Sequence, residues 1–279
     1  MKRICLITMA RNDNFFLEKW MGFYGPQIGY ENIFIYLDGL DSDVPSDPSG
    51  KVNIIPVEKI AGIIDQAEPG RLAFLSDRAA EHLKNYEIVI GCDADEYLVV
   101  DPELGMNLGE YLSGLKIGTS ISGLGLDVAQ NENEEAAYNP SLPILRQRHY
   151  AILNPDYTKP CIITKPVRWG VGFHRIRGHN YHIDPHLYMF HFGCFDTGMI
   201  AAKFASADLR KSGWEKHLKF RRKAIDLVTS CKKVKDGVDF LPKARLIQKW
   251  FRPVYKLNRP SMLNMEIVVK IPEKFSDCI

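Results

Sequence analysis

The chain has 279 residues, of which 46% are hydrophobic, 11% aromatic and 25% charged. That apolar content offsets the entropy of ordering a large domain, and it excludes wholesale disorder or a small disulfide-stapled scaffold. The net charge of +2 hides a division, with 17 Lys and Arg against 26 Asp and Glu in residues 1–202, 17 against 5 in 203–259, and 2 against 3 in 260–279.

The opening segment, RICLITM (3–9), is a short apolar run cut off by Arg11, Asn12 and Asp13. It is too short for a membrane span and reads as a buried strand rather than a signal peptide. Next, FFLEKWMGFYGPQIG spaces Phe16, Trp20, Phe23 and Tyr24 as one helical face. NIFIYLDG (32–39) and KVNIIPV (51–57) read as strands separated by a loop rich in Asp, Ser, Pro and Gly. Residues 70–84 place Leu72, Leu75, Ala79 and Leu83 on one side of a helix, and YEIVIGC (86–92) reads as a fourth buried strand.

Beyond residue 105 the expected strands are 121–128, 161–169 and 187–192, and the expected helices are 199–230 and 240–251. The Asn-, Glu- and Pro-rich stretch 130–143 reads as a mobile loop. The alternation predicts an α/β domain over residues 1–202, a mostly parallel central sheet with helices on both faces. A basic helical extension, 203–279, is expected to pack on it.

In such a sheet, ligands gather at the carboxyl ends of the strands. The polar groups just past those ends are Arg11-Asn12, Asp38, and Asp93-Ala94-Asp95-Glu96, so three distant segments are expected to share one crevice. Asp93 and Asp95, one residue apart after an apolar strand, offer hard oxygens suited to Mg²⁺ or Mn²⁺. An ion held there would stabilise a departing nucleoside diphosphate, and the same physics serves nucleotidyl transfer. No GxxxxGK[ST] loop is present, and no GxGxxG follows the first strand.

Five of the eight histidines, His174, His179, His182, His186 and His191, fall within residues 174–191 without an HExxH spacing. His191 lies in an expected strand that can return to the sheet and complete a metal site. His174 is a second candidate, for phosphate or acceptor. If the transfer is inverting, a carboxylate takes the proton from the acceptor hydroxyl, and the first choice is Asp127, with Asp184 and Asp196 behind it; a retaining transfer needs no such base.

Cys5, Cys92, Cys161, Cys194, Cys231 and Cys278 form no CxxC pair, which points to a reducing compartment. A cytoplasmic protein is therefore expected, with residues 203–259 touching the inner face of an anionic membrane. No recognised nucleic-acid-binding pattern occupies the basic stretch, so nucleic acid is not an expected partner. A nucleotide- and membrane-binding module without turnover is the alternative from a different class.

The ordered segments ARNDNFFLEKWMGFYGPQIGYENIFIYLDGLDSD, DADEYL, Lys165-Pro166, Trp169-Gly170, Gly172-Phe173-His174 and His191-Phe192 resemble the family 2-like branch of the GT-A glycosyltransferases of surface-glycan synthesis. The resemblance implies a UDP- or GDP-linked sugar donor, a glycan or lipid-linked acceptor, and Mn²⁺ or Mg²⁺ on Asp93 and Asp95 completed by His191. It further implies a nucleotide pocket lined by Arg11 and Asp38, with Lys165 on the diphosphate; Asn12 joins that pocket by its place in the first turn. The chain departs from that pattern in carrying Asp13 where the family usually has Glu, and it lacks a clear form of the family's base element.

Overall fold

β1 (Ile4–Ala10) sends alternate side chains into two cores, as a strand covered on both faces must. Ile4 and Leu6 enter the core under α1 (Asn14–Ile28), beside Phe16, Leu17, Trp20 and Tyr24, while Cys5, Ile7 and Met9 enter the core under α2 (Ile64–His82), beside Leu72, Leu75 and Ala79. Each large apolar side chain fully removed from water contributes roughly 1.5–3 kcal/mol. The computed structural model describes residues 1–176, 182–205, 209, 213–251 and 260–279. His179 lies outside the described residues.

β1 pairs in parallel with β2 (Ile33–Asp38) and β4 (Ile88–Gly91), and β2 pairs in parallel with β3 (Asn53–Val57). α2 starts six residues before its apolar face does, because its first turns are largely exposed and leave no periodic signal. β5 (Glu96–Val100) follows the acidic turn directly, and α3 (Leu108–Gly114) begins at a capping box made by Asn107 and Glu110.

The rest of the sheet is built around the long β6 (Ser120–Ala129). It pairs antiparallel with β7 (Tyr150–Ile152) and with β8 (Ile162–Ile163), and parallel with β9 (His182–Cys194), which in turn carries β5 antiparallel. β8 joins β4 to β6 and is antiparallel to both, so β6 and β9 run in the same direction as β1, β2 and β4. Their carboxyl ends all open on one edge. The two halves form a single α/β sheet with helices on both faces, as the sequence leads one to expect.

Only two of the expected nine residues of 161–169 belong to a strand. Val167, Trp169 and Phe173 leave the sheet to pack on α2, where the backbone amide of Trp169 donates to Ser76 Oγ at 3.1 Å. The 130–143 loop has no regular structure but is tied down: Gln130, Asn131 and Glu135 are buried, and the buried Arg148 donates to the carbonyl of Ala136.

Residues 197–250 supply α4 (Thr197–Ala205), α5 (Glu215–Ser230) and α6 (Gly237–Trp250). The extension is not purely helical. β10 (Lys235–Asp236) and β11 (Val268–Lys270) enter the same sheet, β11 lying between β10 and β7.

Candidate functional site

The carboxyl ends of β1, β2, β4, β6 and β9, with the amino ends of β5 and β8, bring Arg11–Asp13, Asp38, Asp93–Glu96, Asp127, Lys159 and His191 to one edge. Three hydrogen bonds, from two arginines, tie the first three segments together. Arg11 donates to the Asp38 carbonyl at 2.8 Å, and Arg71 of α2 reaches from Asp93 to the Met9 carbonyl at 3.4 Å.

The two aspartates of the DxD sequence enter different ion clusters. Asp93 accepts from Arg71 at 2.8 Å through one oxygen and from Lys159 at 3.1 Å through the other. Arg71 is also held by Glu68 through two bonds of 2.8 Å, and Lys159 also by Glu96. Although the Asp93 side chain is 26% exposed, these two cations outweigh the burial that would raise its pKa and hold it below the usual carboxylate range. Burial pushes Glu96 upward against the opposing pull of Lys159.

Asp95, 8% exposed, faces Arg221 of α5 at 3.1 Å and His191 Nε2 at 3.4 Å. The other ring nitrogen of His191 is 2.7 Å from Asp127, and Tyr157 stacks on the imidazole at 3.9 Å. Burial alone would lower the His191 pKa, but Asp95 and Asp127 prevail and push it up to about 9. Asp13, at the end of β1, faces Lys203 of α4 at 3.7 Å, and burial raises its pKa.

The expected metal site does not assemble. Asp93 is bonded by Arg71 and Lys159, and Asp95 is shared between His191 and Arg221. Among the described residues no group of three or more His, Cys, Asp and Glu side chains is arranged to hold a metal ion. Neither aspartate is splayed into solvent, and both stay at the strand ends.

Three other expectations need correction. Asp127 is buried behind His191 and orients it, so it is badly placed to take a proton from an acceptor. Of its two substitutes, Asp184 sits near the amino end of β9, at the far edge, bound by Tyr111 and its own turn. Asp196 is bound by Arg148 and by the backbone amides of Tyr138 and Met199.

Lys165 is exposed past the carboxyl end of β8, which runs antiparallel to β4, so it lies at the edge opposite Asp93. The lysine that precedes β8, Lys159, occupies the site instead. His174 returns to the site edge after the chain crosses α2, with Nδ1 2.6 Å from the Asp156 carbonyl. Burial, with Lys159 beside it, lowers its pKa to about 3.

Arg11, Asn12 and Asp38 shape the wall of the crevice. Arg11 makes two bonds to Asp41, of 2.8 and 2.9 Å, and Asn12, at φ 51°, receives the amide of Asp43. Asp38 accepts the amide of Ile60 through Oδ1. On the Asp13 side a cleft of about 610 Å³ opens between Phe15, Tyr138, Glu132, Thr197 and Met199.

The sequence also passed over Lys159, Arg71, Tyr157 and Lys203, and it read Arg221 as part of the basic membrane-facing surface with Lys219, Arg222 and Lys223, whereas Arg221 bonds Asp95. One signal for the cations was available: a buried acidic strand end requires counter-charge, and Lys159 stands three positions before the apolar pair Ile162-Ile163 in TKPCII. Of the basic residues in α5, Arg221 turns inward, whereas Lys216, Lys219 and Lys223 are exposed around Phe220, which is 58% exposed. Among the described residues no helix is long and apolar enough to cross a membrane.

No protein-family model and no curated protein matches the chain. Among solved structures, it is similar to a mannosyltransferase from Pyrobaculum calidifontis in complex with GDP-Man and Mn²⁺, at 13% identity and a TM-score of 0.38. The match covers 78% of this chain and 64% of that one, so this chain spans less than two thirds of the mannosyltransferase. A second is mannose-1-phosphate geranyltransferase from Thermus thermophilus, at 11% identity and a TM-score of 0.32, covering 99% and 77% of the two chains.

Proposed function

We propose that the protein is a glycosyltransferase that moves a sugar from a nucleotide-sugar donor to an acceptor hydroxyl. The observation that carries this reading is the convergence of Arg11–Asp13, Asp38 and the Asp93–Glu96 turn with Arg221 and Lys203 at the carboxyl edge of the sheet. A nucleoside fits between the ends of β1 and β2, where the second carboxylate oxygen of Asp38 suits a ribose hydroxyl. Its diphosphate then points toward Asp95.

In the transfer, the bond from sugar C1 to the diphosphate oxygen breaks and a bond from C1 to the acceptor oxygen forms. The electron pair leaves on the diphosphate, and the acceptor proton passes to a carboxylate. Asp13 suits that last role better than Asp127. Its side chain is 31% exposed, it stands two positions before Phe15 of the cleft, and burial raises its affinity for a proton. Among the described residues no three-donor metal site is arranged.

The test is incubation with a panel of UDP- and GDP-sugars, following release of the nucleoside diphosphate against the monophosphate. Diphosphate release that falls at least tenfold in Asp13→Asn is the expected result. Monophosphate release would mark a nucleotidyltransferase, and binding without release the module that lacks turnover. The exposed Lys216, Lys219, Phe220 and Lys223 suit an anionic lipid surface that would bring a lipid-linked acceptor. That docking is read by liposome flotation that weakens with salt and fails in a Lys216→Glu/Lys219→Glu/Lys223→Glu variant.

A further inference from the structure

At the site edge, two cations leave most of their hydrogen-bond donors unspent on protein acceptors among the described residues. Arg71 uses all three of its guanidinium nitrogens on Glu68, Asp93 and the Met9 carbonyl, Lys159 makes two bonds, to Asp93 and Glu96, and Arg11 makes three, to Asp38 and Asp41. Arg221 engages a protein acceptor only through Nη2, on Asp95, among the described residues. A guanidinium carries five N–H donors. Lys203 stands 3.7 Å from Asp13, beyond hydrogen-bond distance, with its ammonium over the Phe16 ring at 5.2 Å.

The Arg221 position is built. Its guanidinium packs on Trp214 at 5.6 Å and passes over Gly193, where a Cβ would lie 3.0 Å from Arg221 Cζ. Only 16% of the side chain is exposed. Lys203 acts electrostatically on Asp95, and Arg221 on Asp13, so the two cations share one pair of carboxylates.

We propose that Arg221 and Lys203 form the subsite for the donor's diphosphate, so that side-chain cations contributed by α5 and α4 meet its charge. This rests on the nucleotide-sugar reading above and deepens it. Asp95 and Asp13 hold the two cations in place in the resting protein. An incoming diphosphate takes up the unspent donors, as guanidinium groups do with phosphate oxygens.

The experiment is calorimetric titration of the full chain with UDP, GDP and inorganic pyrophosphate, each in EDTA and again in Mn²⁺. Binding is expected to persist in EDTA and to weaken about ten- to a hundredfold in Arg221→Gln and in Lys203→Gln, the loss of one charge-assisted bond. Arg221→Lys should recover part of it. Thermal melts of each variant separate loss of the site from loss of the fold.

Binding that vanishes in EDTA and returns with Mn²⁺, or folded variants that bind as the parent does, would overturn the subsite and leave the nucleotide-sugar reading standing. Pyrophosphate bound through Arg221 without any nucleotide bound would do the reverse. If none of the three probes binds under either condition, both fall.

Discussion

Lys159→Met tests the buried ion cluster most sharply. Lys159 is 2% exposed and bridges Asp93 to Glu96, which is fully buried. Methionine keeps the stem of the side chain and removes the charge. Asp93 retains Arg71, but Glu96 is left with the Asp93 amide at 3.2 Å as its partner.

A buried carboxylate without a counter-cation takes up a proton, and the cost of doing so sets a ceiling on the damage. From the ordinary value of 4.5 for Glu96, protonation at pH 7 costs about 3.4 kcal/mol at about 1.36 kcal/mol per unit. At pH 5 it costs about 0.7 kcal/mol by the same conversion. The sign follows from the raised folded pKa of the variant: stability is fully present below the unfolded value and is lost as pH rises above it.

Because burial already raises Glu96 in the parent, urea unfolding should show the variant less stable than the parent by up to about 3 kcal/mol at pH 7 and up to about 1 kcal/mol at pH 5. Adding Glu96→Gln to Lys159→Met should recover most of the loss at pH 7, because no buried charge then remains unanswered. A loss below about 1 kcal/mol at pH 7, or one that does not change with pH, would refute the cluster as described.

Three further outcomes are expected. Gly125→Ala puts a Cβ 2.5 Å from the Thr158 amide nitrogen, displacing the turn that carries Tyr157 and Lys159; urea unfolding should show a loss of about 1–3 kcal/mol. His174 is held neutral by burial and by Lys159, with a folded pKa near 3. Its contribution to stability is thus complete above 6.5 and lost as pH falls toward 3, by up to about 1.4 kcal/mol per unit, and His174→Asn should flatten that part of the profile in acid unfolding. Lys165→Ala should leave nucleotide affinity unchanged by calorimetry, since Lys165 stands at the opposite edge of the sheet.

The parallel nucleus was legible because β1, β2 and β4 are apolar throughout and end in polar groups, and Asp93 and Asp95 stood out against the strand before them. β5 was not, since EYLVV continues the acidic turn without a break that marks a new element. β8 misled more seriously. Direction cannot be read from a two-residue strand, and its antiparallel course exchanges Lys165 for Lys159. Arg221 is hidden by company: in KFRRKAID it looks like its neighbours, and only the way α5 lies over β9 selects it. Asp127 was found as a residue, yet its role depended on His191 standing between it and the crevice.

The return of the chain to the sheet through β11 bears on how the protein can be dissected. A fragment stopped at residue 202 would strip the edge from β7, bare its hydrogen-bonding groups to self-association, and take away the guanidinium that answers Asp95. The acidic and basic portions, so distinct in composition, are thus mechanically one piece, and engineered fusions or circular permutants are better opened in the exposed turn around Gly50 than at the point where the charge changes sign.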